Sequence, residues 1–193
     1  DTAITDDSYS ISLSGQAYTF GNSSHNIYTG QITNMYGIFN GDSNFNEDIG
    51  YWDVSNVTNM NTMFANASAF NQDISGWNVS SVTDMTQMFD AATEFNQNIN
   101  GWNVSSVTSM ESTFRGGKFN QDISGWNVSN VTSMQQMFQS ATFFNQNIDS
   151  WDVSSVTTMH LMFMSADNFN QNLNGWNVSS VTDMKQMFYS APA

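Results

Sequence analysis

The sequence predicts a repeat solenoid of seven coils, each of 24 or 25 residues and each carrying a short parallel β-strand and a short helix or 3-10 segment. Three observations predict it. Tryptophan recurs at 52, 77, 102, 126, 151 and 176, with a spacing of 25 that drops once to 24. Everything around each tryptophan repeats with it, as in residues 70–94, which read FNQDISGWNVSSVTDMTQMFDAATE. Within that unit the apolar spacing changes from alternation to steps of three, three, one and three, the mark of two kinds of backbone in one coil.

Counting from each leading Phe, coils start at 20, 45, 70, 95, 119, 144 and 169, giving a repeat region of 20–193 behind an N-terminal segment of 1–19. The first coil is degenerate. Phe20, Ile27, Ile32, Met35, Ile38 and Phe39 fill the places of Phe, Trp, Val, Met, Met and Phe. One residue is missing in the stretch from Arg115 to Lys118, which accounts for the short coil.

The elements follow from the third coil. Trp77-Asn78-Val79 alternates and suits a short strand. Val82, Met85, Met88, Phe89 and Ala92 lie on one face of a short helix, and Ser81 with Asp84 three residues on forms an N-cap pair. Gly76 allows a tight bend before the tryptophan. One coil cannot bury these groups alone, so stability is expected to reside in the interfaces between neighbours. In the N-terminal segment Tyr9, Ile11 and Leu13 alternate with serines and Gly15 follows, which reads as a capping strand or hairpin.

Composition narrows the function. Asp and Glu total 17 against three basic residues, Arg115, Lys118 and Lys185, for a net charge of -14. That balance excludes a phosphate-binding surface for nucleic acid and a basic patch for anionic lipid. There is no cysteine, hence no disulfide or thiolate chemistry. No apolar run approaches the roughly 20 residues that span a bilayer, so no membrane insertion is expected. The chain begins at Asp1 without a signal peptide and reads as a processed product or a fragment.

Chemistry-bearing groups are few. The two histidines, His25 and His160, have no repeated partner, and no catalytic grouping is legible. No cofactor is implied. Calcium on Asp48, Asp73, Asp122 and nearby carbonyls is the alternative to a structural Asn-Gln-Asp/Asn turn, but Asn98, Asn147 and Asn172 occupy the same column. The threonine column from Thr58 to Thr182 reads as a turn hydroxyl rather than an ice-binding grid. Sequons such as Asn78-Val79-Ser80 recur because the repeat recurs.

The positions that differ between copies carry the functional expectation. Two columns four residues apart hold Asn61/Ala65, Thr86/Asp90, Glu111/Arg115, Gln135/Gln139, His160/Met164 and Lys185/Tyr189. Residues i and i+4 share a helix face, so stacking would align them into an exposed stripe, and the candidate binding residues on or beside it are Arg115, Lys118, His160, Met164, Lys185 and Tyr189. The last coil keeps its full apolar set through Ser190. Trp176, Met184, Met187 and Phe188 at that end, with Tyr9, Ile11 and Leu13 at the other, are candidates for end-to-end stacking into filaments.

The run Phe-Asn-Gln-Asp-Ile-x-x-Trp-(Asp/Asn)-Val-Ser-x-Val-Thr-x-Met-x-x-Met-Phe resembles the BspA-type leucine-rich-repeat surface proteins, and more closely the 25-residue repeat of mycoplasma lipoproteins, a domain of unknown function. The resemblance covers residues 45–193 strongly and 20–44 weakly. It implies a leucine-rich-repeat-like solenoid at the cell surface or outside the cell, acting in adhesion on a protein or glycan, and it brings no catalytic residues. The alternative from composition and ends is a structural subunit binding copies of itself.

Overall fold

The computed structural model describes residues 10–13, 16–19 and 29–191. Among them the only strands are β1 (Ser10–Leu13) and β2 (Gln16–Thr19), an antiparallel pair with Ile11 opposite Tyr18. Tyr9 and the side chains of Ile11 and Leu13 lie outside the described residues. From residue 29 onward the chain is a stack of coils built from turns.

The expected leucine-rich-repeat-like solenoid, with a parallel strand ladder and a helix or 3-10 segment per coil, is not what forms. No helix occurs among the described residues, and successive coils share single-residue parallel bridges such as Asp84 with Ser109. The reason lies in the backbone of Met85–Ala92. The N–H groups of Met88, Asp90 and Ala92 donate three residues back, to the carbonyls of Met85, Gln87 and Phe89. Gln87 and Ala91 have φ of 56° and 54°, in the left-handed region. A left-handed residue at the third place of a turn ends any right-handed helix, which needs negative φ throughout.

The alternate N–H groups therefore point out of the coil. Met85, Gln87, Phe89 and Ala91 donate to Ser109, Glu111, Thr113 and Arg115 of the next coil at 3.2, 2.7, 3.0 and 2.8 Å. The left-handed residues recur in register: Thr62, Gln87, Ser112, Gln136, Leu161 and Gln186 in one column, Asn66, Ala91, Ser140, Ser165 and Ser190 in another. Gly37, Gly41 and Gly116 fill the same two columns where glycine is present, also with positive φ.

The other local expectations are replaced by contacts between coils. Ser81 does not cap a helix; its hydroxyl donates to the carbonyl of Ser55 in the preceding coil at 2.7 Å. Trp77-Asn78-Val79 is not a strand. Asn78 Oδ1 accepts the N–H of Ser80, and the N–H of Val82 donates to Val79, so both ends of the segment turn. Gly76 has open space where a Cβ would stand and a φ outside the left-handed region, so the bend does not require glycine. Gly50 is different: a Cβ there would meet the carbonyl oxygen of Asp73 at 2.6 Å.

Like side chains stack on like. Phe64, Phe89, Phe114, Phe138, Phe163 and Phe188 form one column with successive centroids 5.5–5.8 Å apart. Phe45, Phe70, Phe95, Phe119, Phe144 and Phe169 form a second, and the two interleave: Phe89 lies 3.9 Å from Phe95. The tryptophans occupy equivalent places. Each indole N–H from Trp77 to Trp176 donates to the Ile carbonyl of the coil before, at 2.9–3.2 Å. An asparagine column does the same on the polar side, with the N–H of Asn71, Asn96, Asn120, Asn145 and Asn170 each donating to the Asn Oδ1 one coil earlier. Each buried aromatic or Met contributes about 1.5–3 kcal/mol, and its polar neighbours are satisfied by the adjacent coil, so both terms depend on the same register.

The left-handed columns yield a stability test. Ala91→Gly relieves a positive-φ alanine and is expected to raise the unfolding free energy by about 0.5–1 kcal/mol. Ala92→Gly, one residue on and buried, is expected to lower it by about 1 kcal/mol. Chemical denaturation of both variants checks this opposition of sign.

Candidate functional site

The variable columns lie where the turn run of one coil meets the next. Asp90, in the column of Arg115, is 4% exposed. Its carboxylate accepts from Arg115 Nε at 2.7 Å and from a terminal guanidinium nitrogen, and Gln87 Nε2 adds a third donor. The hydrogen bonds to Asp90, and then its charge and that of Glu111, hold the Arg115 guanidinium above its usual range against partial burial. Lys118 pairs with Glu94 in the same way, across one coil. Two of the three cations of the stripe thus bind neighbouring coils to each other.

The remaining stripe residues divide. His160, expected at the surface, has its Nδ1 buried without a hydrogen bond and 3.8 Å from Asp183. Met164 is half-buried, and its sulfur accepts weakly from Gln139 Nε2. Lys185 and Tyr189 are exposed, Tyr189 to 57%. The pairing of Arg115 with Asp90 and of Lys118 with Glu94 was not read from the sequence, although an opposite charge one repeat before each cation is the signal that finds it. Phe143 was also missed. It is 57% exposed and stands in the column of Glu94 and Lys118, another in which copies differ.

The acidic turns close on themselves. Asp73 and Asp122 each accept the N–H of the serine two residues on at 2.9 Å, and Asp48 accepts that of Gly50. No group of three or more His, Asp or Glu side chains converges as metal ligands among the described residues. At Asp53, Asp73 and Asp152 the serine hydroxyl and then its N–H hold the carboxyl below its usual range; at Asp122 the N–H of Ser124 is the larger cause. In the column Thr58, Thr83, Thr108, Thr132, Thr157 and Thr182 each exposed hydroxyl donates to the threonine carbonyl one coil earlier at 3.1 Å.

The last coil exposes part of what other coils bury. Met184 is 42% exposed, Phe188 50% and Val178 38%; Trp176 is half-buried and Met187 is buried. At the opposite end Met35 and Phe39 are buried. Head-to-tail filaments need two complementary open faces, and the described residues provide one, so they do not support that assembly.

The spacing and the turn-built unit place the chain among known sequences. Residues 12–118 and 102–193 match the family described as Mycoplasma protein of unknown function, DUF285. The chain belongs to this family. No curated protein and no solved structure matches it. No helix among the described residues is long and apolar enough to cross a membrane.

Two outcomes are expected for this family member. Arg115→Met strips a buried carboxylate of its charged donor and is expected to cost about 1–3 kcal/mol, while Asp90→Ala in the same chain recovers most of that loss; a double-mutant cycle by denaturation reads the coupling. The lowered aspartates stabilise the fold fully above their ordinary value of 3.8 and lose that contribution as pH falls below it. Changing Asp53, Asp73, Asp122 and Asp152 to Asn keeps the turn, as Asn78 and Asn98 do, and is expected to flatten the acid limb of the Tm-against-pH curve.

Proposed function

We propose that this chain is a non-enzymatic recognition module outside the cell, binding a protein or glycan on another surface through its lateral face. The carrying observation is that copies of the repeat agree in nearly every column except those around the turn run, where accessible groups of different chemistry stand at intervals of one coil. Tyr36, Phe143, Lys185 and Tyr189 are among its exposed members. His160 and Met164 lie beside them as partly buried support, and Arg115 and Lys118 contribute through their ion pairs rather than as open charges. Exposed aromatics flanked by polar groups are the side chains that dominate contacts between macromolecules. The resemblance to BspA-type surface proteins supports the same setting, and the low charge content, with no convergent group of His, Asp and Glu among the described residues, favours binding over turnover.

The test is retention on a glycan array and on immobilised extracellular-matrix proteins. A chain carrying Lys185→Ala, Tyr189→Ala and Phe143→Ala is expected to lose at least about tenfold in affinity, ~1.4 kcal/mol, with an unchanged Tm. Equal retention of wild type and variant would count against the lateral face.

A further inference from the structure

We infer that Asn100 is a site of self-modification: in the folded chain it loses its side-chain amide through a cyclic imide formed with Gly101, while hydrogen bonds between coils shield the other Asn-Gly pairs. The sequence holds three such pairs, Asn40-Gly41, Asn100-Gly101 and Asn174-Gly175. Glycine favours the reaction because no Cβ obstructs the approach of its nitrogen. The backbone nitrogen of Gly101 attacks Cγ of Asn100 and gives up its proton. The bond from Cγ to Nδ2 breaks, and that nitrogen leaves as ammonia. Water then opens the imide at either carbonyl and leaves aspartate or, with the backbone rerouted through the side chain, isoaspartate. One water is consumed for each ammonia released, and no other reactant is needed.

Access does not separate the three, since Asn40, Asn100 and Asn174 are all exposed. The glycine N–H does. Gly41 donates to the carbonyl of Ala65 and Gly175 to Asp149 Oδ1, both at 2.7 Å. The N–H of Gly101 has no acceptor among the described residues. A hydrogen bond opposes both the loss of the proton and the swing of the nitrogen toward the carboxamide, and an ionised acceptor such as Asp149 opposes them most. Asn100-Gly101 and Asn174-Gly175 sit in the same turn: Trp102 donates to Ile99 and Trp176 to Leu173, both at 3.1 Å. That bond leaves the N–H of the third turn residue free to point elsewhere. One residue of the preceding coil makes the difference. Where Asp149 stands before Gly175, the same column holds Ser75 before Gly101, and the Ser75 hydroxyl turns to Asp73 instead.

The stack has a place for the aspartate product. Asn100 Oδ1 stands 3.1 Å from the point where a Cβ of Gly125 would lie, and Asp149 Oδ1 stands 3.0 Å from the same point at Gly175. A carboxylate at position 100 therefore takes the place that Asp149 takes two coils later, within reach of the Gly125 N–H. Isoaspartate is different. It adds a methylene to the backbone of a turn whose Ile99 carbonyl accepts both the N–H of Trp102 and the indole of Trp126.

The experiment holds the full chain at mildly alkaline pH and follows amide loss over time by peptic digestion and mass spectrometry. Asn100 is expected to react at least about tenfold faster than Asn40 and Asn174, and the preference is expected to vanish in denaturant. Gly101→Ala, at a site with nothing within 4 Å of the added Cβ, is expected to slow Asn100 by a similar factor at unchanged Tm. Exchanging the shield tests the cause: Ser75→Asp is expected to slow Asn100, and Asp149→Ser to speed Asn174. Equal rates at the three asparagines of the folded chain, a preference for Asn100 that persists in denaturant, or exchanged shields that leave both rates unchanged would each overturn the proposal.

Discussion

The structure depends on backbone hydrogen bonds that leave the coil. A segment alternating turns with left-handed residues satisfies only half of its N–H groups locally, through bonds to the third residue back. The other half, at Met85, Gln87, Phe89 and Ala91, must find carbonyls in the next coil. An unpaired buried N–H costs about as much as the bond it forgoes, so no coil is stable at its full burial without a neighbour in register. The repeat length is tied to this. Each backbone bond between coils joins residues 23 to 26 apart, and the shortened coil keeps its bonded columns aligned with those of its neighbours.

The side chains reinforce a register set by the backbone. Phe, Trp and Met columns bury their surface by contact with their own copies, and the indole and asparagine columns tie the two sides of the coil to the one before. Polar side chains are used in the same direction: serine and threonine hydroxyls donate to carbonyls one coil earlier, and Arg115 and Lys118 reach back to Asp90 and Glu94. Charges that look like a binding stripe in the sequence act mainly along the stack. Stacking leaves few side chains of the turn run exposed, Tyr36, Phe143, Lys185 and Tyr189 among them.

The core was legible from the sequence because repetition exposes it. The phase of the tryptophans, the partners of each Phe and Met, and the structural use of the asparagines all come from matching columns one repeat apart. The backbone was not legible for a physical reason. Val82, Met85, Met88, Phe89 and Ala92 have the spacing of a helix face, and that spacing also fits a run of three-residue turns. What separates the two is the sign of φ at Gln87 and Ala91, residues with no compositional mark of left-handedness. The mark existed elsewhere in the same columns, at Gly37, Gly41 and Gly116, and a column-wise search for glycine would have found it. The ion pairs of the stripe join residues 25 and 24 apart, Asp90 with Arg115 and Glu94 with Lys118, so they show only when opposite charges are sought one repeat away.

Amide hydrogen exchange resolved by residue tests this account most directly. Phe163 and Phe188 occupy the same column; the N–H of Phe163 donates to Met187 in the next coil, whereas that of Phe188 has no backbone acceptor among the described residues. The account predicts protection at Phe163, with Phe89, Phe114 and Phe138, exceeding that at Phe188 by orders of magnitude. Equal exchange along the whole column would show that local turns hold the chain and that contacts between coils do not.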